Sequence, residues 1–139
     1  MKKLNKKGFT LVELLAVIVI LAILIVIVAT TALPAMNNAK KNTFVLYAQR
    51  LQGKAQELYA VDANMAVGSK DYTVQELMGS GVTEYTGTLT VTYESNSTTQ
   101  KYTVTVKDEL KDVKNNQCIA ADTEINSAIT GSVVVNCSE

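Results

Sequence analysis

Residues 8–29 read GFTLVELLAVIVILAILIVIVA, and every residue from Leu14 to Ala29 is apolar. The uncharged run continues through Thr30, Thr31, Ala32 and Leu33 to Met36. About 20 apolar residues cross the hydrocarbon core of a bilayer as a helix. The stretch therefore predicts one membrane-spanning helix, apolar on every face. Ahead of it, residues 1–8 (MKKLNKKG) carry Lys2, Lys3, Lys6 and Lys7. Lysines beside a span stay cytoplasmic, which orients the chain N-terminus in and C-terminus out. A secretory signal peptide is the competing reading. Its apolar stretch is usually about 7–15 residues, shorter than this one, and it gains nothing from the carboxylate of Glu13. The small residues near Thr30–Ala35 keep a signal-peptidase cut open as an alternative.

Downstream of the span lies Pro34, the one proline of the chain. A proline inside a helix removes a backbone hydrogen bond and clashes with the preceding turn, at about 3 kcal/mol. It predicts a kink or a locally melted turn over 30–34, or else the end of the membrane helix. Beyond it, Phe44, Tyr47, Leu51, Ala55, Leu58, Val61 and Met65 recur at spacings of three and four, while Lys40, Lys41, Arg50, Lys54, Gln56 and Glu57 fall off that stripe. This is the pattern of an amphipathic helix. Read together, residues 9–66 predict a single helix of roughly 85 Å.

Residues 67–87 read as a connector punctuated by Gly68, Gly79, Gly81 and Gly87, with a short helical turn at Val74–Met78. Strand alternation follows. Leu89, Val91 and Tyr93 share one face of TLTVTYE (88–94), and Tyr102, Val104 and Val106 share one face of KYTVTVK (101–107). With the polar segment 95–100 between them, these form a β-hairpin. Asp108–Gln117 reads as a surface connection, and SVVVN (132–136) as a last strand. The fold class is α+β: a long N-terminal helix packed on a small antiparallel sheet. The domains divide as 1–8 leader, 9–36 transmembrane helix and 37–139 globular region, with its sheet over 88–139.

Composition narrows the function. Formal net charge is zero, yet beyond residue 8 nine basic residues face thirteen acidic ones, a net of −4. A nucleic-acid binder needs a basic face, so no nucleic-acid partner is expected. There is no His, which removes the usual acid–base group and metal ligand. No cofactor, no metal and no catalytic site are expected. Cys118 and Cys137 are the only cysteines. Exported by the span, they read as a disulfide, with two buried free thiols as the alternative.

The basic leader, Gly8, Phe9, Thr10, Leu11 and Glu13, followed by the apolar span, resemble the N-terminus of type IV prepilins and pseudopilins. In that family a prepilin peptidase cuts after the glycine and methylates the new N-terminal phenylalanine. The resemblance implies cleavage between Gly8 and Phe9, N-methylation of Phe9, and a pairing of Glu13 with the Phe9 amine of a neighbouring subunit. It also gives Pro34 a meaning, as a point where pilin helices unwind in the filament. Physical sense supports it. Gly8 lets a protease approach the backbone, and a carboxylate in an apolar span marks function. The alternative for Glu13 is a side chain reaching to the head groups. The globular region matches only in plan. Implied partners are the chain itself, the prepilin peptidase, the assembly platform and ATPase, and the bilayer before assembly. Implied location is the cytoplasmic membrane, then the cell surface. The reading is a structural pilin serving adhesion, motility or DNA uptake. A pseudopilin of a secretion or competence apparatus is the alternative, and a monomeric membrane-tethered binding domain the remote one.

Overall fold

The computed structural model describes residues 10–62 and 66–137. Gly8, Phe9 and Met65 lie outside the described residues. The chain divides into two compact units at Asn37/Asn38.

Helix α1 spans Leu11–Asp62. In the first unit it is the only described element, and its apolar side chains are exposed all round, from Leu11 at 80% through Ile25 to Leu33. Thr30 Oγ1 donates to the carbonyls of Val26 and Ile27, and Thr31 Oγ1 to that of Ile27, at 3.0–3.3 Å. These bonds satisfy hydroxyls that an apolar surround would otherwise leave bare. Residues 30–34 are helical and α1 continues through Pro34. The melted turn and the helix end that the proline allowed are thus both absent. One lost rung leaves the bonded turns on either side intact.

In the second unit α1 lays one face on two antiparallel sheets. Its buried residues are Phe44, Val45, Ala48, Leu51, Ala55 and Tyr59. This corrects the expected stripe. Tyr47 and Leu58 are only half-buried, and Val61 is 75% exposed. The buried face follows 44–48–51–55–59, and at 100° per residue Val61 points away from it.

The first sheet has the order β1-β3-β4, with β1 at Gly68–Thr73, β3 at Thr88–Ser95 and β4 at Gln100–Val106. The hairpin pairs as its alternation predicts: Leu89 opposes Val106, Val91 opposes Val104 and Tyr93 opposes Tyr102. Strand β1 corrects the connector reading of 67–87. Its sequence GSKDYT buries only Tyr72 and lacks apolar alternation. What makes it a strand is the free edge of β3, with which it pairs from Gly68↔Tyr93 to Thr73↔Thr88. Asp71 accepts from Thr90 and from Lys107, and these donors hold its carboxyl below the usual carboxylate range. Helix α2, Val74–Met78, begins in a capping box between Thr73 and Glu76.

The second sheet has the order β2-β5-β6-β7: Tyr85–Thr86, Leu110–Asp112, Gln117–Ile119 and Val134–Asn136. The single sheet expected is therefore two. The expected surface connection over 108–117 contains a buried strand, with Leu110 at 0% and Asp112 at 2% exposure. Asp112 is admitted to the interior because its carboxylate accepts from the backbone N–H of Asn115 and from Asn115 Nδ2, at 3.1 and 2.8 Å; a buried polar group needs such partners. The last strand is shorter than predicted, since Gly131–Val133 form a 3-10 turn.

Aromatic rings fill the space between α1 and the sheets. Tyr59 lies 6.4 Å from Tyr93 and 6.2 Å from Tyr102, and Tyr47 stacks on Tyr85 at 3.7 Å. Cys118 and Cys137 are joined, with Cα atoms 5.1 Å apart. The bond fastens buried β6 to the end of β7.

Two outcomes follow for stability. Alkylation of denatured, unreduced protein should find neither cysteine, and reduction should cost about 3 kcal/mol in the chain-entropy account; labelling of both cysteines would refute the bridge. Gly87 sits at φ +137°, and a Cβ there would lie 2.9 Å from both the Glu109 carbonyl and Leu110 Cα. Gly87→Ala should therefore destabilise the full chain in detergent by about 1–3 kcal/mol in denaturant unfolding.

Candidate functional site

The segment that carries the sequence motif is the start of α1. Thr10 is the N-cap. Its backbone N–H donates to Glu13 Oε2 at 2.8 Å, its Oγ1–H donates to the same oxygen at 2.9 Å, and the Glu13 backbone N–H donates to Thr10 Oγ1 at 3.3 Å. The first helical rung, Leu14 N–H to the Thr10 carbonyl, closes at 3.2 Å. This is a complete capping box, in which two backbone donors that the helix cannot use itself are satisfied reciprocally. The role is additional to those read from the sequence, which considered Glu13 only as a subunit partner or a head-group anchor. The signal was present: Thr-x-x-Glu before an apolar run is itself a helix-start signature, and Thr73-x-x-Glu76 uses it again.

The capping box has a chemical consequence. Both donors converge on Oε2, and Oε1 takes no hydrogen bond among the described residues. The carboxylate is thus held against the helix end, where negative charge is favoured, with one oxygen open to a further donor. The next carboxylate along α1 is Glu57. Between them the helix has the length and apolar character to cross a membrane.

The other sequence-read residues stand apart from this point. Pro34 lies within α1, and Cys118–Cys137 lies in the second sheet. Glu109 approaches both sulfurs within 4.8 Å, but joined sulfurs offer no thiolate to a metal. Tyr47, Met78, Val82 and Tyr85 line a shallow cavity in the second unit, where burial raises the pKa of both tyrosine hydroxyls above the ordinary value.

Residues 3–29 match the family model of the prokaryotic N-terminal methylation motif. That motif is characteristic of type IV prepilin-like proteins, and this chain carries it together with the α+β plan of a long apolar helix and antiparallel sheets. The matched segment contains Gly8, Phe9, Thr10 and Glu13, and ends within the apolar run. No curated protein and no solved structure matches the chain.

Breaking the box should loosen this helix end without unfolding the chain. Thr10→Val removes the hydroxyl and keeps the shape. Hydrogen exchange in detergent micelles should show the Glu13 amide exchanging roughly fivefold faster, the ordinary effect of losing one cap. An unchanged rate would show that the hydroxyl does not hold it.

Proposed function

We propose that this chain is the precursor of a structural pilin, the subunit of a type IV pilus-like filament on the cell surface. The observation that carries the reading is a helix apolar on every side whose first turn holds one carboxylate, Glu13, inside a methylation motif. In the bilayer such a helix needs no partner. In a filament it buries against its neighbours.

The sequence of events follows from the chemistry of the motif. The lysines of residues 2–7 keep the leader at the cytoplasmic face, and prepilin peptidase cuts between Gly8 and Phe9. The new Phe9 amine has a reference pKa near 8 and is mostly protonated at neutral pH; the same enzyme then methylates it. Extraction by the assembly platform and its ATPase moves the subunit from lipid into the filament. There Glu13 Oε1 receives the Phe9 amine of a neighbour. Apolar packing alone favours many axial offsets between helices, and one buried ion pair selects among them. Pro34 is the point where α1 yields when the helices pack closely, because its turn already lacks one hydrogen bond. The disulfide, which ties down the C-terminal strand, suits a domain facing the extracellular medium and favours the surface pilus over the pseudopilin rod of a secretion or competence apparatus. No step requires catalysis by this chain.

Sheared surface filaments should yield a mature chain beginning at Phe9 with one added methyl group on its amine, read by N-terminal mass spectrometry. A chain beginning at Met1 or near Ala32 overturns the reading, and filaments that stay short and under the envelope select the pseudopilin. Glu13→Ala should leave subunits processed and membrane-resident but abolish most filaments, because the partner amine is then buried alone. Filaments of normal number and length from Glu13→Ala as the only copy would reduce Glu13 to a helix cap.

A further inference from the structure

The charged side chains of the second unit sort by face. Five pairs consume most of them: Lys54–Glu57, Lys70–Asp62, Lys107–Asp71, Lys111–Glu109 and Lys114–Glu84. Glu94 and Lys101 are direct cross-strand neighbours, Glu76 caps α2, and Asp112 is satisfied by Asn115. Among the described residues, the cations left without a carboxylate are Lys40, Lys41 and Arg50, all on α1. The carboxylates of this unit without a cation of their own, among the described residues, are Asp122, Glu124 and Asp108, whose neighbour Lys107 is held by Asp71. Backbone bonds place the segment that carries two of them. Asp122 N–H donates to the Val106 carbonyl at 2.7 Å, Val106 N–H to that of Thr123 at 2.9 Å and Ile125 N–H to that of Val104 at 2.8 Å. Asp122 and Glu124 therefore lie along the outer edge of β4, where Glu124 bridges Thr105, and Asp108 follows two residues past the strand's end.

Arg50 is the only arginine of the chain. It stands on the face of α1 turned away from the sheets, one turn from Leu46 at 65% exposure, and Val61 at 75% continues the same stripe. The stripe also carries Lys54 and Glu57, which close on each other at 2.8 Å; among the described residues Arg50 is left with a free guanidinium, and an arginine fork pairs bidentately with carboxylates. Like faces cannot meet, since two Arg50 side chains would repel. The complementary surface is the acidic edge at Asp108, Asp122 and Glu124, which the same chain carries elsewhere.

We propose that the outer face of α1 around Leu46, Arg50 and Val61 docks on the β4 acidic edge of a second copy of this chain. The proposal rests on the filament reading above and deepens it. A contact between two different patches of one molecule is heterologous, and a heterologous contact that does not close generates an open helical filament rather than a dimer.

The test uses the full-length chain as the only copy in cells, with sheared filament yield as the readout. Arg50→Glu should lower the yield at least ~tenfold, since like charges then face each other across the contact. Asp122→Lys with Glu124→Lys should lower it likewise, and combining all three substitutions should restore it. Arg50→Lys keeps the charge but not the fork, and should assemble at reduced yield. Treating its filaments with a carbodiimide should join the introduced amine to Asp108, Asp122 or Glu124 of another subunit, as mass spectrometry of cross-linked peptides would show. The Arg50 variants should melt as the parent does, because Arg50 has no intrachain carboxylate partner among the described residues; the melting of the Asp122 and Glu124 variants is measured alongside, since Asp122 sits at φ 62°. Normal filaments from Arg50→Glu, or no restoration by the reversed pair, overturn the docking. A parent chain that makes no filaments overturns the polymer reading beneath it, and is a distinguishable result.

Discussion

A helix that is apolar on every side cannot be solvated by water, and the rest of this molecule is arranged around that fact. Its backbone groups are satisfied within the helix itself, so it tolerates lipid. Its side chains gain by leaving water for lipid or for other helices of the same kind. Either surround is low in dielectric, and so each polar group in the segment needs an assigned partner. Thr30 and Thr31 turn their hydroxyls onto carbonyls one turn back. Glu13 folds one oxygen onto the helix start. The methylation motif is therefore also a helix-capping motif, and the cap uses only Oε2, so it does not conflict with the pairing proposed for the other oxygen.

The second unit solves a different problem. Its sheets are short, and β2, β5, β6 and β7 have only two or three residues each. Such strands have little independent stability. They are held by what lies across them: the buried face of α1, the stacking of Tyr85 on Tyr47 and Phe44, and the Cys118–Cys137 bond. Gly131 shows how closely the C-terminal segment meets the helix, since a Cβ there would lie 2.8 Å from Asn42 Oδ1. The helix serves both units, apolar all round in one and one-sided in the other. Its composition changes where its surroundings change.

Charge placement adds a third level. Pairing inside the chain leaves cations on the helix and carboxylates on a sheet edge, on separated surfaces. On the docking proposed above, such charges find partners where copies meet through different patches.

The sequence by itself determined the helix long and apolar enough to cross a membrane, the motif at its start, the hairpin of β3 and β4, and the candidate disulfide. Each of these rests on a local rule: unbroken hydropathy, residue order, period-two alternation, or export of a lone cysteine pair. Strand β1 was hidden because GSKDYT has no strand pattern of its own and is ordered by the edge of β3. Strand β5 was hidden because a charged segment normally stays outside, and only the Asn115 bonds allow Asp112 inside. The helix stripe was misplaced toward Val61 because apolar spacing marks several faces at once, and only the sheets beneath decide which one is buried. The capping box at Thr10 and Glu13 was legible and hidden only by the stronger motif that contains it. The positions of Asp108, Asp122 and Glu124 were not legible at all. Asp122 and Glu124 are placed by hydrogen bonds between residues 16 to 21 positions apart in the chain, and such long-range pairing is decided by tertiary packing.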